Sequence, residues 1–156
     1  MLEKLKDKYV FFDVDGTLSE YRYNDILYGG KCPELGYQSL EDFLFGELFY
    51  KARPLKTMQK IIENLDSDKI FILGAVVTNN EIEQKYKWLN ENYPKIKREN
   101  MFFINSTMLK PEVIIEYSRH FNIPLEKIVF EDDRLDVLRK AEEYGIASYH
   151  PSSFME

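Results

Sequence analysis

Five short apolar runs alternate along this chain with segments whose apolar residues recur every three or four positions. The runs cover residues 8–12, 69–77, 101–104, 128–130 and 146–149. Each is continuous rather than alternating with polar residues, the mark of strands covered on both faces. Between them, Leu55, Met58, Ile61, Ile62 and Leu65 predict an amphipathic helix with Pro54 at its first position. Ile82, Tyr86 and Leu89 predict a second helix over 80–92, and Val113, Ile114, Tyr117 and Phe121 a third, opened by Pro111. A fourth follows over 134–144. Strand and helix in this rhythm imply right-handed βαβ units. The predicted fold is therefore α/β, a Rossmann-like parallel sheet with helices on both faces, in one domain spanning 1–156.

In such sheets ligands sit at the carboxyl ends of the strands. The polar residues that follow the strands here are Asp13, Asp15 and Thr17, then Thr78 and Asn79, then Asn105 to Lys110, and finally Asp132, Asp133 and Asp136. Carboxylates gathered at one sheet end repel one another by about 1 kcal/mol or more per pair unless a cation or a proton intervenes. A hard, oxygen-seeking divalent ion is the economical neutraliser. Thr78 ends a strand, and Asn79 or Asn80 is expected to cap the next helix in its place. Lys110 stands at a helix start, where the helix dipole disfavours a cation and a bound anion would favour it.

Residues 18–52 break the rhythm and are too long for an ordinary connection. They hold Tyr21, Tyr23, Tyr28, Tyr37, Phe43, Phe45, Phe49 and Tyr50, a Gly29-Gly30 turn, and a short helical pattern over 40–45. The segment reads as a small cap or flap over the site.

The net charge is −6 over 156 residues, which disfavours a nucleic-acid partner but not an anionic small molecule. The longest apolar run, 70–77, is far below the ~20 residues of a membrane span. Residues 1–12 mix acids and lysines without a secretory pattern. A lone cysteine, Cys32, excludes an internal disulfide and a multi-cysteine zinc site. A cytoplasmic chain is the expectation. His120 and His150 lack partners at metal-ligand spacing and read as structural.

Phe11-Phe12-Asp13-Val14-Asp15-Gly16-Thr17-Leu18 resembles the opening motif of the haloacid dehalogenase superfamily, in its phosphatase branch. Thr78, Lys110 and Glu131-Asp132-Asp133-Arg134-Leu135-Asp136 are similar to the later motifs and occur in family order, across residues 8 to 150. The resemblance implies a Mg²⁺-dependent phosphomonoester hydrolase. Asp13 would be the nucleophile that forms an aspartyl-phosphate, and Asp15 the general acid and base. Thr78 and Lys110 would hold the phosphoryl oxygens, with Thr17 and Asn79 beside the substrate. The metal would be bound by Asp13, the Asp15 backbone carbonyl and Asp132, with Asp133 and Asp136 as further candidates. Glu131 departs from the glycine more usual at its position. A weaker resemblance, in Ala52-Arg53-Pro54, Lys85–Pro94 and the Asp132-Asp133 pair, points to the 5′-(deoxy)nucleotidase branch, hence to nucleoside monophosphates. The partner implied is a small phosphorylated metabolite, for a monomer or small homo-oligomer. A phosphotransferase or mutase on the same site, or a binding protein without turnover, stays open at this point.

Overall fold

The computed structural model of the chain describes residues 2–20, 44–47 and 49–155. The strands are β1 (Tyr9–Phe12), β2 (Ile70–Ala75), β3 (Met101–Ile104), β4 (Ile128–Glu131) and β5 (Ala147–Tyr149). They form one parallel sheet in the order β3-β2-β1-β4-β5. The helices are α1 (Leu2–Leu5), α2 (Lys56–Glu63), α3 (Asn79–Asn92), α4 (Lys110–Phe121) and α5 (Leu135–Glu143). The predicted Rossmann-like architecture is the one observed.

The period-two geometry of the strands sorts the apolar runs into two cores. Val10, Phe12, Ile70 and Ile72 pack with Met58 and Ile62 of α2 and with Trp88 and Leu89 of α3. Their neighbours in sequence, Phe11, Phe71 and Leu73, pack with Ile114 of α4 and with Val137, Leu138 and Ala141 of α5. α2 and α3 thus cover one face, joined by Leu5 of α1, and α4 and α5 cover the other. Phe11 and Phe71 stack across the strands, with ring centroids 4.8 Å apart. α4 ends where Asn122 takes a left-handed conformation, φ 53°, and Ile123 N–H returns to Ser118 O at 2.9 Å. Gly145, φ 83°, ends α5 in the same way.

Three boundaries differ from the sequence reading, each for a tertiary reason. Pro54 does not open α2: it pairs with Ser19 in an antiparallel bridge. Leu55 N–H donates to Leu18 O at 2.8 Å and Glu20 N–H to Arg53 O at 2.9 Å. The two roots of the insertion are thereby zipped together, and the helix starts only at Lys56. β2 stops at Ala75 rather than Val77, because the Val77 N–H donates to the Glu81 carboxylate (3.0 Å) instead of to a strand. Thr78, not Asn79 or Asn80, caps α3: its Oγ1 accepts from Glu81 N–H at 3.1 Å. The short α1 and the Pro151–Phe154 turn carry no periodicity that a sequence reading could use, yet they bury Leu5 and Phe154.

Of the insertion, residues 21–43 and 48 lie outside the described residues, and with them most of the expected cap, including Tyr21, Tyr23, Tyr28, Tyr37, Cys32 and the greater part of the helical pattern at 40–45. Its roots are described. α3 holds both of them. Trp88 Nε1 donates to Ala52 O at 2.7 Å and Tyr93 OH to Leu18 O at 2.7 Å. Gln84 Oε1 accepts from the N–H groups of Phe49 (3.0 Å) and Tyr50 (3.1 Å). Trp88 therefore packs on the sheet and ties the insertion to the core.

Tyr93→Phe keeps the ring and removes one buried hydrogen bond. The expected loss is about 1 kcal/mol, read from the midpoint of urea unfolding, with the slope of the transition unchanged.

Candidate active site

β1 ends at Phe12 and the chain turns at once. The Val14 carbonyl accepts from the N–H groups of Thr17, Leu18 and Ser19 at 3.2, 2.8 and 3.1 Å, and Gly16 N–H donates to Ser19 O at 3.0 Å. Gly16 sits at φ 79°, a region that strains an L side chain. Asp13, first out of the strand, is anchored by its own N–H to Glu131 O on β4, at 2.9 Å. Thr17, fully buried, donates from Oγ1 to Asp13 Oδ2 at 3.3 Å. β1 and β4 are adjacent, and the chain order of the strands reverses between them. This is the switch point at which the end of a parallel sheet opens to a ligand.

Lys110 reaches this point from the start of α4. The residue is 1% exposed, and its ammonium donates to Asp13 Oδ1 at 2.8 Å and to Asp132 Oδ2 at 2.7 Å. Burial alone would pull the lysine down, but the two carboxylates outweigh it and hold it above its usual range, fully charged. Asp132, with no exposed surface, is pushed up to about 6 by burial and by its neighbour Asp13, against the pull of Lys110. Its Oδ1 accepts from Arg134 N–H at 2.9 Å. Asp133 completes the group: Asp13, Asp132 and Asp133 each offer a carboxylate oxygen within 4.8 Å of the other two. Three hard anionic oxygen donors around one point, with one lysine beside them, suit Mg²⁺ rather than a soft metal.

Asp15 belongs to a second buried ion cluster. Lys85 of α3 donates to Asp15 Oδ2 and to Glu81 Oε2, both at 2.7 Å. Burial raises the Asp15 carboxyl, helped by repulsion from Asp13 and Glu81, while Lys85 opposes the shift. Lys85 itself is held above its usual range, since the two carboxylates outweigh its burial. Lys85 is absent from the residues expected to act. Its signal, a Glu81–Lys85 pair four apart on a helix, is also the signature of an ordinary solvated surface pair.

The structure brings Asp13, Thr17, Lys110, Asp132 and Asp133 together and sets Asp15 two residues from Asp13. Thr78 is half-buried at the start of α3. Accepting the cap bond uses a lone pair of its hydroxyl and leaves the proton to donate. Asn79 is exposed in the first turn of the same helix. Asp136 stands apart from the three-acid group. It is exposed, pairs with Arg134 at 2.7 Å and accepts from Val137 N–H at 2.9 Å, so it acts on its own helix start. Its carboxyl is held below the usual range by the Arg134 hydrogen bond.

Glu131, where glycine is more usual in the resembling motif, is fully buried. Neither of its carboxylate oxygens has a hydrogen-bond partner among the described residues. Burial pushes it up to about 9, so it is a neutral acid at pH 7. Between about pH 5 and pH 9 the folded protein keeps this proton and the unfolded chain does not, so stability falls as pH rises, by at most about 1.4 kcal/mol per unit. Glu131→Gln removes that proton exchange. The variant is expected to gain stability over the parent steadily from pH 5 to 9, in urea midpoints measured across the range. A constant difference would contradict the assignment.

No protein-family profile matches the chain, and no curated protein matches it. Solved structures do. A HAD family enzyme from Bacteroides thetaiotaomicron, crystallised with magnesium and inorganic phosphate, superimposes with a TM-score of 0.55 at 16% identity, over 92% of this chain and 93% of that one. A haloacid dehalogenase-like hydrolase from Streptococcus pneumoniae gives 0.54 at 15% identity, over 90% and 82%. A hydrolase from Streptococcus pneumoniae TIGR4 gives 0.55 at 12% identity, over 92% of both. With β1 central, Asp13 just past its end and Asp132 just past the end of the neighbouring β4, the chain has the fold of the haloacid dehalogenase family enzymes.

Proposed function

We propose that this chain is a Mg²⁺-dependent phosphomonoester hydrolase that works through a phosphorylated Asp13. One observation carries the reading: at the switch point of the sheet, three carboxylates converge within 4.8 Å, and a buried lysine bridges two of them. A purely structural cluster gains little from such an arrangement, because desolvating the ions costs several kcal/mol each. A site for a cation and a phosphate monoester uses every member.

Asp13, Asp132 and Asp133 would hold the metal, with the Asp15 backbone carbonyl as the further oxygen that the family resemblance implies. Once bound, Mg²⁺ supplies the positive charge that lets an anionic nucleophile approach an anionic phosphate. The chain's own residues do the rest. An Asp13 oxygen attacks phosphorus, the bond to the ester oxygen breaks, and the leaving alkoxide takes a proton from Asp15. Water then gives a proton back to Asp15 and attacks the same phosphorus, releasing phosphate and restoring the Asp13 carboxylate. Burial raises the Asp15 carboxyl above its usual range, a direction that suits the first half of this cycle. Lys110 spreads its charge over the phosphoryl oxygens in exchange for one of its carboxylate bonds, and the Thr78 hydroxyl donates to them as well.

The proposed substrate is a small phosphorylated metabolite. Nucleoside monophosphates belong in the first panel because of Ala52-Arg53-Pro54 and the 85–94 stretch. Several of those residues also have a mechanical role, since Trp88 and Tyr93 clamp the insertion's roots. Among the described residues no helix is long and apolar enough to cross a membrane.

Phosphate release from a panel of monoesters is expected with Mg²⁺ and is abolished by EDTA. Asp13→Asn should lower kcat by at least about 1,000-fold, the scale at which loss of a nucleophile acts, while its circular dichroism stays that of the parent. Release that survives either change would overturn the reading.

A further inference from the structure

Lys85 is a buried cation that the proposed chemistry does not use. It is 2% exposed, on the inner face of α3, between Asp15 and Glu81. A methionine or leucine would fill the same volume without desolvating an ammonium, and buried ion pairs seldom add net stability over such a residue. The placement is also held from several sides. Glu81 is pinned through Oε1 by Val77 N–H at 3.0 Å, and its own N–H donates to Thr78. The Phe49 ring, at the insertion's descending root, lies 4.8 Å from the Lys85 ammonium, and Gln84, the neighbouring residue, holds the Phe49 backbone. Through Glu81, the first two turns of α3 thus orient Thr78 and Lys85 together, and Lys85 meets Asp15 through Oδ2.

We propose that Lys85 is a positioning residue for Asp15: it ties down Oδ2 and so presents Oδ1 to the ester oxygen of the substrate. A carboxyl on a turn otherwise rotates about two side-chain torsions. Fixing one oxygen removes that freedom at the step where the proton must reach the leaving group. The inference rests on the phosphomonoesterase reading and adds a residue to it.

Leaving-group dependence separates positioning of an acid from general support of the fold. The decisive series is kcat/KM for phosphate monoesters ranging from p-nitrophenol, which departs without a proton, to aliphatic alcohols, which need one. It is measured on the parent, Lys85→Met, Asp15→Asn and Asp15→Asn/Lys85→Met. The expected result is that Lys85→Met loses at least about 100-fold on the aliphatic esters, the lower end of what a general acid contributes, and less than about 5-fold on the nitrophenyl ester. In the Asp15→Asn background, Lys85→Met should cost nothing further. Should Lys85→Met fail to fold, Glu81→Gln/Lys85→Met, which leaves no second buried anion behind, carries the same expectation. A loss uniform across leaving groups, or additive with Asp15→Asn, in an active parent overturns the role of Lys85 and leaves the hydrolase reading standing. A parent inactive on every ester overturns both.

Discussion

The Lys110 ammonium lies between Asp13 and Asp132, which come from neighbouring strands, and the geometry of the sheet end depends on that bridge. It joins three elements: β1 through Asp13, β4 through Asp132 and α4 through Lys110 itself. A helix start is an unfavourable place for a cation, and full burial makes it worse. Only the two carboxylates reverse that balance. The reverse also holds: without Lys110, Asp13 and Asp132 would face each other and Asp133 with no positive charge between them. In the proposed cycle this mutual dependence is what a phosphate dianion and a divalent ion exploit, since each replaces one half of an existing ion pair rather than creating a new buried charge.

A second bridge, Lys85 between Asp15 and Glu81, sits one turn of loop away and is built on the same plan. The two differ in what they anchor. Lys110 holds the sheet end together, whereas the Lys85 face of α3 also carries Gln84 and Trp88, which hold the insertion's descending root at Phe49, Tyr50 and Ala52. The insertion's descending root and Asp15 are therefore fastened to one helix. A displacement of the root and a displacement of Asp15 are mechanically linked through it.

The architecture was legible because strands buried on both faces must be written as continuous apolar runs, and the polar residues after them fall at one sheet end by topology alone. That is how Asp13, Lys110 and Asp132 could be placed from spacing. Other features needed the tertiary structure. Pro54 looks like a helix opener and is instead held extended by the bridge to Ser19. Thr78, Asn79 and Asn80 are all competent caps, and the choice among them falls to Glu81, whose N–H and carboxylate engage Thr78 and Val77. Asp136 shares a motif with Asp132 but stands beyond the start of α5, where Arg134 takes it. Lys85 lies in a helix of mixed polarity, and nothing in its spacing distinguishes a buried bridge from a solvated pair. Trp88 and Tyr93 carry a family-like pattern, yet their hydroxyl and indole N–H serve the insertion's backbone.

In the proposed function Asp13, Asp132 and Asp133 form a cation site rather than an ion cluster complete with Lys110 alone. Isothermal titration of Mg²⁺ into the parent protein and into Asp132→Asn tests it without reference to any substrate. Saturable binding of one ion in the parent, weakened at least about tenfold in the variant as expected for loss of one ligand, is the predicted result. Equal binding in both proteins, or none in a folded parent, would contradict it.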